Sequence, residues 1–234
     1  MIVSIHQPHF LPWLGYFNKV FNSDTFVWLH NVQFRKNYFQ NRTKIKNSDT
    51  DQELWLTIPV KASIHDNIDQ VKIADARWAN RAVKTIEQYY RKAPYFKDYF
   101  SRLTQHFATS ELLDEINYRT VMVLLHELKY EGKVVRMEEL NIDTLDPNLR
   151  LIEICNKLGS NHYIAGKGGK NYVDIEQWDK VGIKISWQNF NTESLQYPQL
   201  GKSFVPSLSV VDCLFNNGPD KTRELIVNAW QVQV

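Results

Sequence analysis

Two histidines and a glutamine crowd one turn near the start of the chain: His6, Gln7 and His9 in SIHQPHFLPWLGYF. Imidazole is the side chain that moves a proton near neutral pH, and a carboxamide both donates and accepts hydrogen bonds. Set at one turn, the three suit a reaction in which a nucleophile loses a proton while a neighbouring oxygen gains charge. His6 is the first choice as base, and Gln7 and His9 are expected to hold substrate.

Three other groups carry possible chemistry. The segment NVQFRKNYFQNRTKIKN, residues 31–47, holds Arg35, Lys36, Arg42, Lys44 and Lys46 with no acidic residue, and Phe34, Tyr38 and Phe39 interleave with them. Basic groups among aromatics hold phosphates and stack a base or sugar. Gln33, Asn41 and Arg42 are the candidates, because the guanidinium fork matches phosphate or carboxylate. Lys36, Lys44 and Lys46 read better as a solvated charged loop. AGKGGKNY, residues 165–172, offers Gly166, Lys167, Gly168, Gly169 and Tyr172. Glycines after a strand let backbone N–H groups approach an anion. The string fits neither the P-loop spacing nor the dinucleotide fingerprint, and a tight hairpin-like turn would also explain it. The last group is Tyr197, Gln199 and Asp212. Asp212 lies between Val211 and Cys213 in an apolar run, so its carboxylate must face solvent or have a partner. A histidine partner would make it the carboxylate that orients the base.

Elements able to position these groups are legible around them. MIVSI is a continuous apolar run, as a strand buried on both faces requires. Leu14, Phe17 and Phe21 then recur at helical spacing, and TFVW is a second strand, giving a βαβ unit with parallel strands. ELWLTIPV and QVKIA are further strands. The middle is helical: from Trp78, from Pro94, and from an N-cap at Ser110 to a stop at Gly132. VVRMEEL, HYIAG and IKISWQNF return to strand. DPNLRLIEICNKLG is a helix capped by Asp146 with Pro147 at its first position. VDIEQWDKVG, SLSVVDCLFNNG and PDKTRELIVNAW are helices, with Gly218 ending the second of these. The alternation predicts an α/β fold with a mostly parallel, Rossmann-like sheet, and the FLPWLGY string resembles the strand-to-helix layout of nucleotidyltransferases. One domain spans 1–234, with residues 78–131 a helical insertion.

Composition narrows the class. Charges nearly balance, at a net of about +2, where a dedicated nucleic-acid binder shows a basic excess, so no stable nucleic-acid complex is expected. Cys155 and Cys213 form no C-x-x-C pair and sit at apolar helical positions, so a reducing cytoplasm suits the chain. The apolar runs are too short to span a bilayer, so no membrane insertion is expected. The spacing of FLPWLGY echoes enzymes with an F-x-P-x-H-x-G-H string, but Trp13 and Tyr16 stand where those histidines would be.

Taken together, IHQPHFLPWLGYF, VQFRKNYFQNRTKIK, WLTIPV, KAPYF, YIAGKGGKNY and FVPSLSVVDCLFNNG resemble the WbqC-like family nearly end to end. Asn31 is a departure, since members of that family usually carry Asp there. The resemblance implies a setting in bacterial O-antigen and other surface polysaccharide synthesis, with acyl or aminoacyl transfer to an amino sugar as the suggested activity. The expected ligands are a nucleotide sugar and an acyl donor. His6 would act as base, oriented by Asp212. No cofactor is named, no metal set is assigned, and a homodimer is compatible with the sequence. Nucleotidyl transfer, or a module that binds a sugar nucleotide without catalysis, stays open as an alternative.

Overall fold

The computed structural model describes residues 1–63, 65–171, 173–192 and 195–229, and the backbone of 232–233. Strand β1 (Ile2–His6) opens the chain. Its Val3 and Ile5 enter one buried cluster, while Ser4 turns to the opposite face and meets the Ser23 hydroxyl at 2.8 Å. Period-two alternation therefore puts His6 on the Ser4 face. After a turn come α1 (Leu14–Phe21) and β2 (Thr25–Trp28), which pairs with β1 in parallel. Two antiparallel pairs follow: β3 (Arg42–Asn47) with β4 (Gln52–Thr57), and β5 (Val60–Lys61) with β6 (Lys72–Ile73). Then come α2 (Trp78–Tyr90), α3 (Phe96–Thr104), α4 (Leu113–Glu127), β7 (Lys133–Arg136) and α5 (Pro147–Lys157). The chain closes with β8 (His162–Ala165), α6 (Ile175–Lys180), β9 (Lys184–Gln188), α7 (Val210–Asn228) and β10 (Val232–Gln233).

The main sheet runs β10-β9-β8-β1-β2-β7. Its five strands from β9 to β7 are all parallel, and β10 adds an antiparallel edge. The chain winds outward from β1 through β2 to β7, then returns to the other side of β1 through β8 and β9. This is the Rossmann-like order, and its reversal opens a crevice beyond the carboxyl ends of β1 and β8. Phe26 and Trp28 of β2 join α1, α2, α3, α4 and α7 on one face. Val27 joins α5 and α6 on the other, through Leu151, Ile154 and Trp178. The helices of residues 78–131 thus share buried side chains with Phe10, Phe17 and Leu214.

Three local expectations change. Residues 42–47 are a strand, not a solvated loop: Thr43 and Ile45 turn inward, Lys44 pairs with Glu53 at 2.6 Å, and Lys46 is buried against Asp51 at 3.0 Å. The lysines hid an alternation whose inward positions, Thr43 and Ile45, include a single apolar residue. Helix α4 starts at Leu113 rather than at Ser110, whose hydroxyl instead accepts from the Leu112 N–H at 3.0 Å. The KGGKN stretch is a 3-10 turn over Lys167–Asn171, not a hairpin-like one. Gly218 does interrupt the last helix, with φ 76° and ψ 174°. A Cβ there would also stand 2.8 Å from Tyr95 ring atoms. Gly218→Ala is expected to lose about 1–3 kcal/mol in urea denaturation, because only glycine occupies that backbone region without strain.

Candidate functional site

The His6–Trp13 loop is held by three distant segments. Phe10 N–H donates to Phe39 O at 2.9 Å. Leu11, strained at φ 40°, has its carbonyl bound by the Thr43 and Ser209 hydroxyls at 2.9 and 2.7 Å. Val210 N–H donates to Pro12 O at 2.8 Å. The basic segment and the start of α7 therefore fix the backbone that carries the histidines, and the strain at Leu11 persists because these bonds over-determine it.

A cleft of about 600 Å³ opens at the crevice between β1 and β8. His6, Gln7 and His9 line one side, and Gly166, Lys167, Gly168 and Gly169 line the other. His6 Nδ1 lies 2.9 Å from Gln7 O. A carbonyl only accepts, so Nδ1 carries the proton and Nε2 is left as the acceptor. Gln7 Oε1 accepts from Gln40 Nε2 at 2.9 Å, and Gln40 Oε1 accepts from Arg35 N–H at 2.7 Å. That chain fixes the Gln7 amide with its oxygen engaged and its N–H₂ left as donor. His9 packs edge-on to His6 at 4.7 Å and lies against Trp13, Tyr16, Tyr38 and Phe39. Among the described residues neither of its ring nitrogens has a hydrogen-bond partner, and the buried Tyr16 hydroxyl also lacks one.

Electrostatics separate this cleft from an ordinary surface groove. Lys19, Arg35 and Lys167 line it, and no Asp or Glu among the described residues does. Burial pulls the Lys19 ammonium down to about 7. Burial, with the nearby Lys19 charge second, lowers His6 to about 3, so its imidazole is neutral at physiological pH. His9 is held well below its usual value by burial and by His6. Among the described residues no group of three or more His, Cys, Asp or Glu converges as a metal ion would need, and no helix is long and apolar enough to cross a membrane.

Other expected ligands are placed elsewhere. Asn41 Nδ2 donates to Ile58 O at 2.9 Å, and Arg42 stacks on Trp55 at 4.0 Å while its Nη2 donates to Asn37 O. Gln33 is exposed and its backbone bridges to Asn67. None of these three lines the cleft: Asn41 is engaged by Ile58, Arg42 by Trp55 and Asn37, and Gln33 sits beside Asn67. Arg35, from the same segment, is the residue that reaches it, with its guanidinium 4.4 Å over Tyr38. Tyr172 lies outside the described residues.

Asp212 is likewise remote from His6. Its fully buried carboxylate accepts from Tyr90 Oη at 2.9 Å and Gln199 Nε2 at 2.8 Å. Gln199 also bonds both the N–H and the carbonyl of Val205 at 2.9 Å, and Tyr197 packs edge-on to Phe204 at 5.3 Å. The expected histidine partner is replaced by a tyrosine and an amide, so Asp212, Gln199 and Tyr197 tie the 195–209 loop to α7. Burial raises Asp212 to about 6. A raised folded value means the folded state holds that proton more tightly, so this carboxylate costs stability as pH climbs from about 4 to about 6. In Asp212→Asn that component, about 3 kcal/mol, is absent. Urea midpoints of the two proteins across this range are expected to diverge accordingly, while ligand binding in the cleft stays unchanged.

Sequence reasoning did not single out Lys19. Helix α1 is buried almost all round, so its lysine sits in no solvent-facing stripe, and an all-round apolar helix was the available signal.

The family model described as the WbqC-like protein family matches residues 7–224. A similar protein, "Uncharacterized protein Rv1507c" of Mycobacterium tuberculosis (strain ATCC 25618 / H37Rv), is 27% identical over 228 residues, covering 94% of this chain and 97% of its own length. No solved structure gives a significant match.

Proposed function

We infer the function from two facts: the chain belongs to the WbqC-like protein family, and its cleft gathers three basic side chains with no carboxylate among the described residues. The second fact carries the reading. Such a lining favours an anionic ligand, and about 600 Å³ is room for one as large as a nucleotide-linked sugar. The activity is acyl or aminoacyl transfer to the amine of a nucleotide-linked amino sugar in the cytoplasm. The setting implied by the resemblance is surface polysaccharide synthesis, of which O-antigen is one case.

In this reading the sugar amine attacks the activated acyl carbonyl. His6 Nε2 takes the proton that nitrogen loses as the C–N bond forms. The fixed Gln7 N–H₂ donates to the oxyanion, which collapses as the bond to the leaving group breaks. A phosphate beside Lys19 offsets the Lys19 charge that helps to depress His6, so the substrate itself makes the base stronger. The test is direct: incubate the protein with nucleotide amino sugars and acyl or aminoacyl donors, and look by mass spectrometry for acylated sugar. No product across a broad panel overturns the reading, as does full-rate product from a His6 variant.

A further inference from the structure

We propose that Lys19 and the backbone turn of residues 166–169 form a diphosphate-binding subsite at the base of the cleft, with Lys19 as its charged floor. Lys19 is 3% exposed, yet it lines the cleft. Its ammonium donates to Ile5 O at 2.7 Å, and no Asp or Glu of the described residues forms an ion pair with it. A buried cation with three N–H groups and one carbonyl partner is electrostatically incomplete, and an anion completes it. The turn beside it supplies the second half. A Cβ on Gly166 would stand 3.9 Å from Lys19 Nζ, so residue 166 brings bare backbone to the ammonium. Gly168, on the same turn, has open space at its Cβ position.

His9 points to the same ligand independently. It is 1% exposed, lines the same cleft, and neither ring nitrogen has a partner among the described residues. Buried polar atoms are almost always satisfied, so an orphaned imidazole at a cleft wall marks where a ligand supplies the missing bond.

Lys19 also gives the subsite a pH signature. The titratable and charged groups that line the cleft with it are His6 of β1, His9 of the loop, Arg35 and Tyr38 of the segment before β3, Tyr163 of β8 and Lys167 of the turn. Both imidazoles are neutral from well below neutrality upward. Lys19 itself is held at about 7 by burial, so the anion-binding charged form is lost above that pH.

The subsite rests on the proposed function only for which molecule carries the diphosphate. Calorimetric titration with inorganic sulfate and inorganic pyrophosphate reads the subsite without any transfer, so the two ideas fail separately. Wild type is expected to bind both anions at pH 6. Sulfate stays a dianion throughout, and its affinity should fall about 30-fold by pH 8.5 as Lys19 loses its proton. Lys19→Met should bind about 10- to 100-fold more weakly at pH 6, with no such fall. Gly166→Ala, which leaves the lysine in place, should weaken pyrophosphate binding. Absence of saturable binding of either anion by wild type at pH 6, a pH-independent sulfate affinity in wild type, or undiminished binding by a folded Lys19→Met overturns the proposal. The wild-type pH series and Gly166→Ala decide the matter if Lys19→Met does not fold.

Discussion

Replacing His6 with Asn is expected to lower turnover in acyl transfer by about 10²–10⁴-fold while leaving substrate affinity within a few-fold of wild type. Asparagine can keep the short bond that the Nδ1–H makes to Gln7 O, so the turn is retained. What it loses is Nε2, the atom assigned to take the proton. Alanine is the poorer variant, because His6 packs on Tyr16 at 4.5 Å and on His9 at 4.7 Å, and truncation would leave a void between them. Steady-state kinetics with a urea denaturation control separate the two cases. A loss confined to kcat supports the base, whereas a rise in KM with kcat intact makes His6 a substrate ligand only. The pH profile adds a second check. With His6 at about 3 and Lys19 at about 7, kcat/KM should show no acidic limb from His6 above about pH 4 and should fall above about pH 7. The fall would vanish in Lys19→Met along with most of the activity.

The parallel sheet and the strand-end position of the His6 loop were readable because local signals there agree. Apolar MIVSI, the Leu14–Phe17–Phe21 spacing and TFVW each specify one element, and the parallel βαβ unit follows from their lengths. Helix α5 was legible for the same reason: Asp146 accepts from Leu149 N–H at 2.8 Å, as a cap before Pro147 should. The site was legible only where chemistry and backbone coincide. His6, Gln7, His9 and the glycine turn sit at strand ends, so finding the strands found them. Arg42 and Asp212 are different. Each is a chemically able side chain whose partners, Trp55 and Tyr90, lie on other elements with no periodicity linking them. Of the two arginines in the basic segment, Arg35 reaches the cleft from the stretch before β3, whereas Arg42 opens β3 opposite Thr57. Lys19 was invisible for the converse reason. Nothing in a helix of largely apolar residues says that one of them lines a cleft at the sheet end.

Asp114→Ala is expected to destabilise the fold by about 3–5 kcal/mol, the cost of removing one member of a buried ionic network. Asp114 is 2% exposed at the start of α4. It accepts from Trp28 Nε1 at 2.7 Å, His30 Nδ1 at 3.0 Å and Arg136 Nη2 at 3.1 Å. Those partners come from the carboxyl ends of β2 and β7 and the loop after β2, so one carboxylate joins the helical layer to the sheet edge beside the cleft. Truncation leaves the Trp28 indole N–H and the His30 Nδ1–H buried without their acceptor, while His30 Nε2 keeps Glu138 at 2.6 Å. Arg136 keeps Glu115 at 2.9 Å and Glu138 at 2.7 Å, which is why the loss stays near the pair value and does not exceed it. The network also sets a pH dependence. Burial alone would depress His30, but its bond to Asp114 and the charges of Asp114 and Glu138 outweigh that and raise it. A raised histidine stabilises the fold below its unfolded value, near 6.5, and that contribution is lost as pH rises through the folded value. The penalty of Asp114→Ala should therefore be larger at pH 6 than at pH 8.5, measured as the difference in urea unfolding free energy from wild type. An equal penalty at both values would mean that His30 is neutral between its two carboxylates. A penalty below about 1 kcal/mol would mean that the sheet edge is held by packing, with the network adding nothing.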